Sequence, residues 1–359
     1  MKNSQNNYFS DGAVINETFA SSNSLLKKKK YLPRYIYWEL CDHCNLHCIT
    51  CFANSNPTKH SFVEKEKLFN KIDEITRENK VPIHFGGGEP FLLPYISELF
   101  EFLINRKQTF SINTNGVLIN DSYIEQLNRS ALDKITVSID GTEEYNDLIR
   151  GNGTFNKALN SVKAMIDAEI SVSLSFTITA INYENLERYV DYFYKQGIRR
   201  FYFFRYVSDE ARDNKLKLSK EDLLNAYSII NSMIKKYRDT SFVIERIVYF
   251  PFLIDEVKFR AKCEFAKKKM TIRHDGDVLV CSAIRKKLGN IFTDDLYAIY
   301  RHIENEIEAI LEIPKTCINC TYVTLCKGGC KSFSYSRFGD YCHRDELCYK
   351  DIIKKREED

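Results

Sequence analysis

The stretch Cys41-Asp-His-Cys-Asn-Leu-His-Cys-Ile-Thr-Cys-Phe52 decides how the rest of the chain is read. Inside it, Cys44, Cys48 and Cys51 stand in the spacing C-x3-C-x2-C, directly after an apolar, aromatic run over 35–40. Iron–sulfur clusters are normally held by four protein thiolates. Three on one short loop can hold three irons of a cubane cluster and leave the fourth iron an open coordination position. The competing reading is a structural zinc site, which takes four N or S ligands and would be completed here by His43 and His47.

Downstream, apolar positions alternate between two periods. Residues 35–40 read as a strand, and 61–77 carry helical spacing at Phe62, Leu68, Ile72 and Ile75. Strands are expected over 81–85, 109–113, 134–139, 171–179 and 199–206, with helices over 94–105, 122–127, 155–167 and 183–196. Six strands alternating with helices imply an α/β fold with parallel pairing through right-handed crossovers. Periodicity alone leaves an open partial barrel and a doubly wound sheet both standing. In either, functional groups sit at the C-terminal ends of strands. The motifs obey that rule: the cysteine loop follows the first strand, Gly86-Gly-Gly-Glu-Pro90 the second and Asn113-Thr-Asn-Gly116 the third, and Ser138-Ile-Asp-Gly141 ends the fourth.

Glycines let backbone approach a ligand closely or take a positive φ, and a carboxylate can bind an ammonium group. With the cysteine loop at this separation, Gly87-Gly88-Glu89 resembles the radical S-adenosylmethionine (SAM) enzymes. The resemblance implies a partial (β/α)6, TIM-like barrel. It also implies a [4Fe–4S] cluster on Cys44, Cys48 and Cys51 whose open iron binds the amino and carboxylate groups of SAM. By the same resemblance Glu89, with Gly87 and Gly88, binds the methionine ammonium. Ser138 and Asp140 hydrogen-bond a ribose or the amino group, Arg150 pairs with the SAM carboxylate, and Phe52 touches the adenine. The bland reading of Arg150 is a surface arginine before a Gly-rich helix start. Cys41 falls outside the motif and reads as a small buried residue.

Eight more cysteines lie in the last hundred residues: Cys263, Cys281, Cys317, Cys320, Cys326, Cys330, Cys342 and Cys348. Residues 274–281 read as a β-hairpin turning at Asp275-Gly276, followed by a short segment over 288–291 and a helix over 295–311. This layout resembles the SPASM extension of radical SAM enzymes, which carries one or two auxiliary iron–sulfur clusters. Mapped onto this sequence, Cys317, Cys320, Cys326 and Cys348 hold one cluster, and Cys263, Cys281 and Cys330 the other. No further cysteine follows shortly after Cys263, so the fourth position of that second set falls to Cys342, to a non-cysteine group or to substrate. The expected organisation is a flexible extension over 1–33, a radical SAM core over 34–207, a bridging region over 208–262 and a small cysteine-rich SPASM domain over 263–359.

The composition is that of a soluble globular protein, with 44% hydrophobic and 28% charged residues. A net charge of +3 over 359 residues argues for neither nucleic acid nor an anionic membrane. No run approaches the roughly 20 apolar residues of a membrane span. The N-terminus lacks the charged-then-apolar order of a signal peptide, and twelve cysteines without one predict reduced thiols in the cytoplasm. The family resemblance implies an oxidoreductase that cleaves SAM reductively and abstracts hydrogen from a peptide or small molecule. An electron donor such as flavodoxin or ferredoxin goes with it. Modification of a ribosomally made peptide is favoured. Sugar or aminocyclitol oxidation and epimerisation is the second branch. Sulfatase maturation ranks lower, because Ser282 stands where that branch carries an Asp base. A non-catalytic zinc- or cluster-binding module is the reading from another class, and Glu89 with its glycines speaks against it.

Overall fold

A computed structural model of the chain describes residues 33–77, 80–207, 214–238, 240–247 and 269–348. The extension expected before the first strand and Cys263 lie outside the described residues. Seven strands run in order along the barrel sheet: β1 (Tyr35–Glu39), β2 (Ile83–Gly86), β3 (Phe110–Thr114), β4 (Leu132–Ser138), β5 (Val172–Ile178), β6 (Arg200–Arg205) and β7 (Val243–Ile247). Every neighbouring pair among them is parallel. The helices between them are α1 (Lys65–Thr76), α2 (Ile96–Arg106), α3 (Asp121–Arg129), α4 (Glu143–Arg150), α5 (Thr154–Asp167), α6 (Leu186–Lys195) and α7 (Lys220–Lys236). The architecture is the partial (β/α)6 barrel with one strand more, since β7 adds to β6 from a stretch read as a bridge.

The cysteine-rich C-terminal part grows from the opposite edge of the same sheet. Its first strand, β8 (Lys269–Ile272), pairs in parallel with β1, Tyr35 facing Lys269 and Trp38 facing Ile272. The expected hairpin forms as β8 with β9 (Asp277–Leu279), and β10 (Lys287–Asn290) adds antiparallel to β9. The result is one ten-stranded sheet in the order β10-β9-β8-β1-β2-β3-β4-β5-β6-β7. Helices α8 (Leu296–Leu311), α9 (Val323–Cys326) and α10 (Lys331–Phe338) complete this part.

The two-residue period of each strand sorts its side chains between two faces. Ile83, Phe85, Phe110, Ile112, Leu174, Phe176, Phe201 and Phe203 are buried in one core cluster with Leu99, Phe100, Val162, Tyr189 and Phe193 from the helices. Aromatic rings meet edge to face there, Phe176 on Tyr189 at 4.7 Å and Tyr189 on Phe193 at 5.0 Å. Each fully buried ring contributes about 1.5–3 kcal/mol. In β2 to β5 the alternate residues are polar and meet across strands: His84 Nδ1 lies 2.5 Å from Ser111 Oγ, and Ser175 Oγ donates to Ser138 Oγ at 3.0 Å. Helix starts are set by side-chain caps. Asn120 accepts from the Tyr123 N–H, Asp295 from Tyr297 and Ala298, and Ser219 with Asp222 forms a capping box.

Candidate active site

The cysteine loop leaves β1 and is pinned by backbone hydrogen bonds. Cys44 N–H donates to Asn56 O, Cys51 N–H to Cys48 O, and Ile49 N–H to Ile149 O of α4. Cys44 is buried, Cys48 and Cys51 are half-buried, and Phe52 is 47% exposed. Two N–H donors point at the Cys44 sulfur, Leu46 N at 3.4 Å and Asn115 Nδ2 at 3.8 Å. Burial pushes the Cys44 thiol up to about 12, so without a metal it stays protonated. Among the described residues, no three His, Cys, Asp or Glu side chains converge as a single metal ion requires. The ring of His43 packs instead on His60 at 4.7 Å and on the edge of Phe62, and His47 is exposed.

The Gly-Gly-Glu loop is docked against the cysteine loop rather than left open. Gly88 N–H donates to Cys41 O and Glu89 N–H to His43 O, both at 2.8 Å. A Cβ on Gly88 would sit 1.9 Å from His43 O, and Gly87 has φ +118° with Cys41 O only 2.6 Å from its would-be Cβ. These glycines are therefore required for the close approach of two loops.

Glu89 is fully buried and its two oxygens are occupied. Oε1 accepts from Thr114 Oγ1 at 2.8 Å and Phe91 N at 3.2 Å, and Oε2 from Asn115 N at 2.8 Å. Burial outweighs these donors and holds the carboxyl up at about 7. Thr114 and Asn115, which the sequence marked only as a motif after the third strand, thus fix the carboxylate. Asn115 also bridges to Asn45 of the cysteine loop at 2.8 Å.

Asp140 is enclosed at 0% exposure. Its Oδ1 accepts from Thr177 N at 2.7 Å, and its Oδ2 pairs with Arg150 Nη2 at 2.8 Å. Asn146 and Asn182 hold its backbone. The structure thus turns Asp140 toward Arg150, a partner sequence reasoning did not name. Arg150 ends α4, a helix the sequence reading did not predict, and is largely buried. Its Nη1 lies 4.0 Å from Cys48 Sγ, and its Nε–H is buried without a hydrogen-bond partner. A buried cation with an unmet donor, next to a thiol loop and a buried carboxylate, fits a group carrying both a carboxylate and an ammonium. Ser138 is half-buried on the polar face of β4. Glu89, Asp140, Arg150 and the three cysteines are brought to one end of the parallel sheet.

In the C-terminal part, Cys330 lies close enough to Cys281, and Cys348 to Cys326, for each to act on the other's thiol. The Cys281 thiol, pushed up to about 11 by burial, is raised further by Cys330, and the Cys326 thiol, at about 12, by Cys348. Cys317, Cys330 and Cys348 are buried, and Cys320 is half-buried. Cys342 is exposed and donates to Glu312 Oε2 at 3.4 Å, which sets it apart from these pairs. Two buried or half-buried ion pairs join this part to the barrel: Arg285 with Glu39 of β1 at 2.9 Å, and Arg205 of β6 with Asp345 at 2.8 Å.

Residues 38–193 match the model of the radical SAM superfamily, and residues 263–331 that of the SPASM iron–sulfur cluster-binding domain. The AdoMet-dependent heme synthase of Methanosarcina barkeri is 24% identical over 88% of this chain and 96% of its own length. The mycofactocin maturase MftC of Mycobacterium tuberculosis is 30% identical over 44% of this chain and 41% of its own. Among solved structures, Streptococcus suis SuiB bound to S-adenosylmethionine superposes with TM-score 0.72 at 20% identity, over 88% of this chain and 77% of that one. Bound to its precursor peptide SuiA, the same protein gives 0.71 at 21% identity over 88% and 76%. No described helix is long and apolar enough to cross a membrane.

Proposed function

Because this chain belongs to the radical SAM superfamily and carries a SPASM domain, we propose that it modifies a ribosomally synthesised peptide by crosslinking, oxidation or epimerisation. Its cofactors are SAM, the [4Fe–4S] cluster that binds it, and auxiliary iron–sulfur clusters. When bound, SAM and its reduced cluster supply a 5′-deoxyadenosyl radical that abstracts hydrogen from an unactivated carbon. The observation that carries the peptide reading is the 30% identity to a mycofactocin maturase through the core. The likeness in fold to SuiB, solved with its precursor peptide, runs in the same direction.

In this reading Cys44, Cys48 and Cys51 hold the first cluster. Glu89, locked by Thr114 and Asn115, receives the ammonium of SAM. Arg150, locked by Asp140, offers Nε–H and Nη1–H to its carboxylate. Phe52, exposed beside the third cysteine, covers the adenine, and Ser138 reaches the ribose. Cys317, Cys320, Cys326 and Cys348 hold one auxiliary cluster, and Cys281 and Cys330 with Cys263 the other. A flavodoxin or ferredoxin supplies the electron. Ser282 stands where a sulfatase-type Asp base would be, which ranks sulfatase maturation lower.

One observation favours a second reading, action on an iron porphyrin: the heme synthase relative matches over nearly the whole of both chains. The test is anaerobic reconstitution followed by incubation with SAM and dithionite, and assay of 5′-deoxyadenosine and substrate mass. Short peptides encoded beside the gene form one arm and Fe-coproporphyrin III the other. A mass change in a peptide, dependent on SAM, establishes the peptide reading. Turnover of the porphyrin alone replaces it with the second. Nucleoside from neither protein nor triple-cysteine variant sinks both.

A further inference from the structure

The Arg205–Asp345 pair is the most deeply enclosed ion pair among the described residues, with side chains 1% and 0% exposed. It is bidentate, Nη1 to Oδ1 at 3.2 Å and Nη2 to Oδ2 at 2.8 Å, and the guanidinium lies 3.9 Å over the Phe333 ring. Such a pair costs several kcal/mol per ion to desolvate and is weak evidence of a stabilising role. What it touches is more informative. Asp345 Oδ2 also accepts the Cys330 N–H at 3.1 Å, and Cys348 N–H donates to Asp345 O at 3.0 Å. Asp345 N–H donates to Gly328 O, and Gly329 has no room for a Cβ because Asp345 Cβ lies 2.4 Å from where one would be. The carboxylate therefore stands where the two auxiliary ligand sets interleave, Cys330 from one and Cys348 from the other. The cation comes from the end of β6 and reaches Cys330 through the Asp345 carboxylate.

We propose that Arg205 and Asp345 mount the auxiliary cluster held by Cys330 on the end of β6, and that their charges set its reduction potential in opposite directions. The inference rests on the auxiliary clusters of the proposed function. A cluster gains a negative charge on reduction, so a fixed cation beside it raises the potential and a fixed anion lowers it. Both are positioning residues: in this arrangement they act on the cluster through Cys330 and the chain around it.

The test uses the full chain with Cys44, Cys48 and Cys51 changed to Ala, so that only auxiliary clusters titrate. Arg205→Gln and Asp345→Asn are compared by iron and sulfide content and by redox titration followed by electron paramagnetic resonance. The expected result is a potential lowered by Arg205→Gln and raised by Asp345→Asn. Arg205→Lys keeps the charge without the planar fork and stays near the parent. Selective loss of auxiliary iron from the two neutral variants, with native circular dichroism and iron kept by Arg205→Lys, also supports the mount. Unshifted potentials, shifts of the same sign, or loss of native structure in all three variants overturn it. Absence of iron from the unsubstituted parent would instead remove the auxiliary clusters, which is a failure of the functional reading.

Discussion

Glu89 makes the site's energetics measurable without any cofactor. Its carboxyl is raised from the ordinary 4.5 to about 7, and the first cause is burial. A raised carboxyl favours the folded state fully while protonated, below about pH 4.5, and loses that contribution as pH rises through 7. Each pH unit of separation is worth about 1.4 kcal/mol. Integrating the two titrations from pH 5.5 to 8 gives a loss of about 2 kcal/mol of stability in the cofactor-free chain. Glu89→Gln has no such titration. Its amide N–H₂ must face either the Asn115 N–H or the Thr114 and Phe91 donors, so the variant is less stable at low pH by about 1–3 kcal/mol. Urea unfolding of both proteins at pH 5.5 and 8 reads the difference directly. The gap between them is expected to close by about 2 kcal/mol toward pH 8. A gap independent of pH would refute the argument that Glu89 is held against its own ionisation. With SAM present the sign reverses: an incoming ammonium favours the ionised carboxylate, so binding should tighten as pH rises through 7.

Three further outcomes follow from the geometry. Gly88→Ala drives a methyl into His43 O, and overpacking of this kind costs about 1–3 kcal/mol. Iron analysis should show loss of the first cluster with auxiliary iron retained. Asp140→Asn leaves Arg150 largely buried without its partner, and thermal or urea unfolding should show a loss of about 3–5 kcal/mol. Cys342→Ser touches an exposed thiol bonded only to Glu312, so iron content should be unchanged and stability should move by less than about 0.5 kcal/mol.

Sequence pattern revealed the first six barrel strands one by one because each carries its own two-residue period, and Phe110, Ile112, Leu174 and Phe176 needed no distant information; β7, in the stretch read as a bridge, was missed. Pairing across the chain is another matter. Nothing local in Lys-Met-Thr-Ile at 269–272 says that this strand will lie beside Tyr35, some 230 residues earlier, in parallel. The fourth helix was missed because it is only eight residues long and buries just Asn146 and Ile149, so no apolar stripe announces it. The cost of missing it was the context of Arg150. The glycines before Glu89 were legible as a need for space, but the neighbour filling that space, the His43 carbonyl, was not. The surroundings of Asp140 were illegible for the same reason: its partners Thr177 and Arg150 come from other elements, and a carboxylate after a strand does not declare which of them it will meet. Thr114 and Asn115 did carry a signal, a polar Thr-Asn-Gly directly after a buried strand.

The joint between β1 and β8 has a mechanical consequence. Cofactor-bearing loops on separate domains could swing apart to admit a substrate. Here the cysteine loop leaves the end of β1, which shares one ladder with β8 from Tyr35–Lys269 to Trp38–Ile272, and Cys281 follows β9, the antiparallel partner of β8. There is no hinge at that seam. The two strands are held at the spacing of neighbours in one sheet, about 4.8 Å. Motion of the C-terminal part against the barrel would have to break that ladder, so opening at this edge of the sheet falls to the loops at its rim.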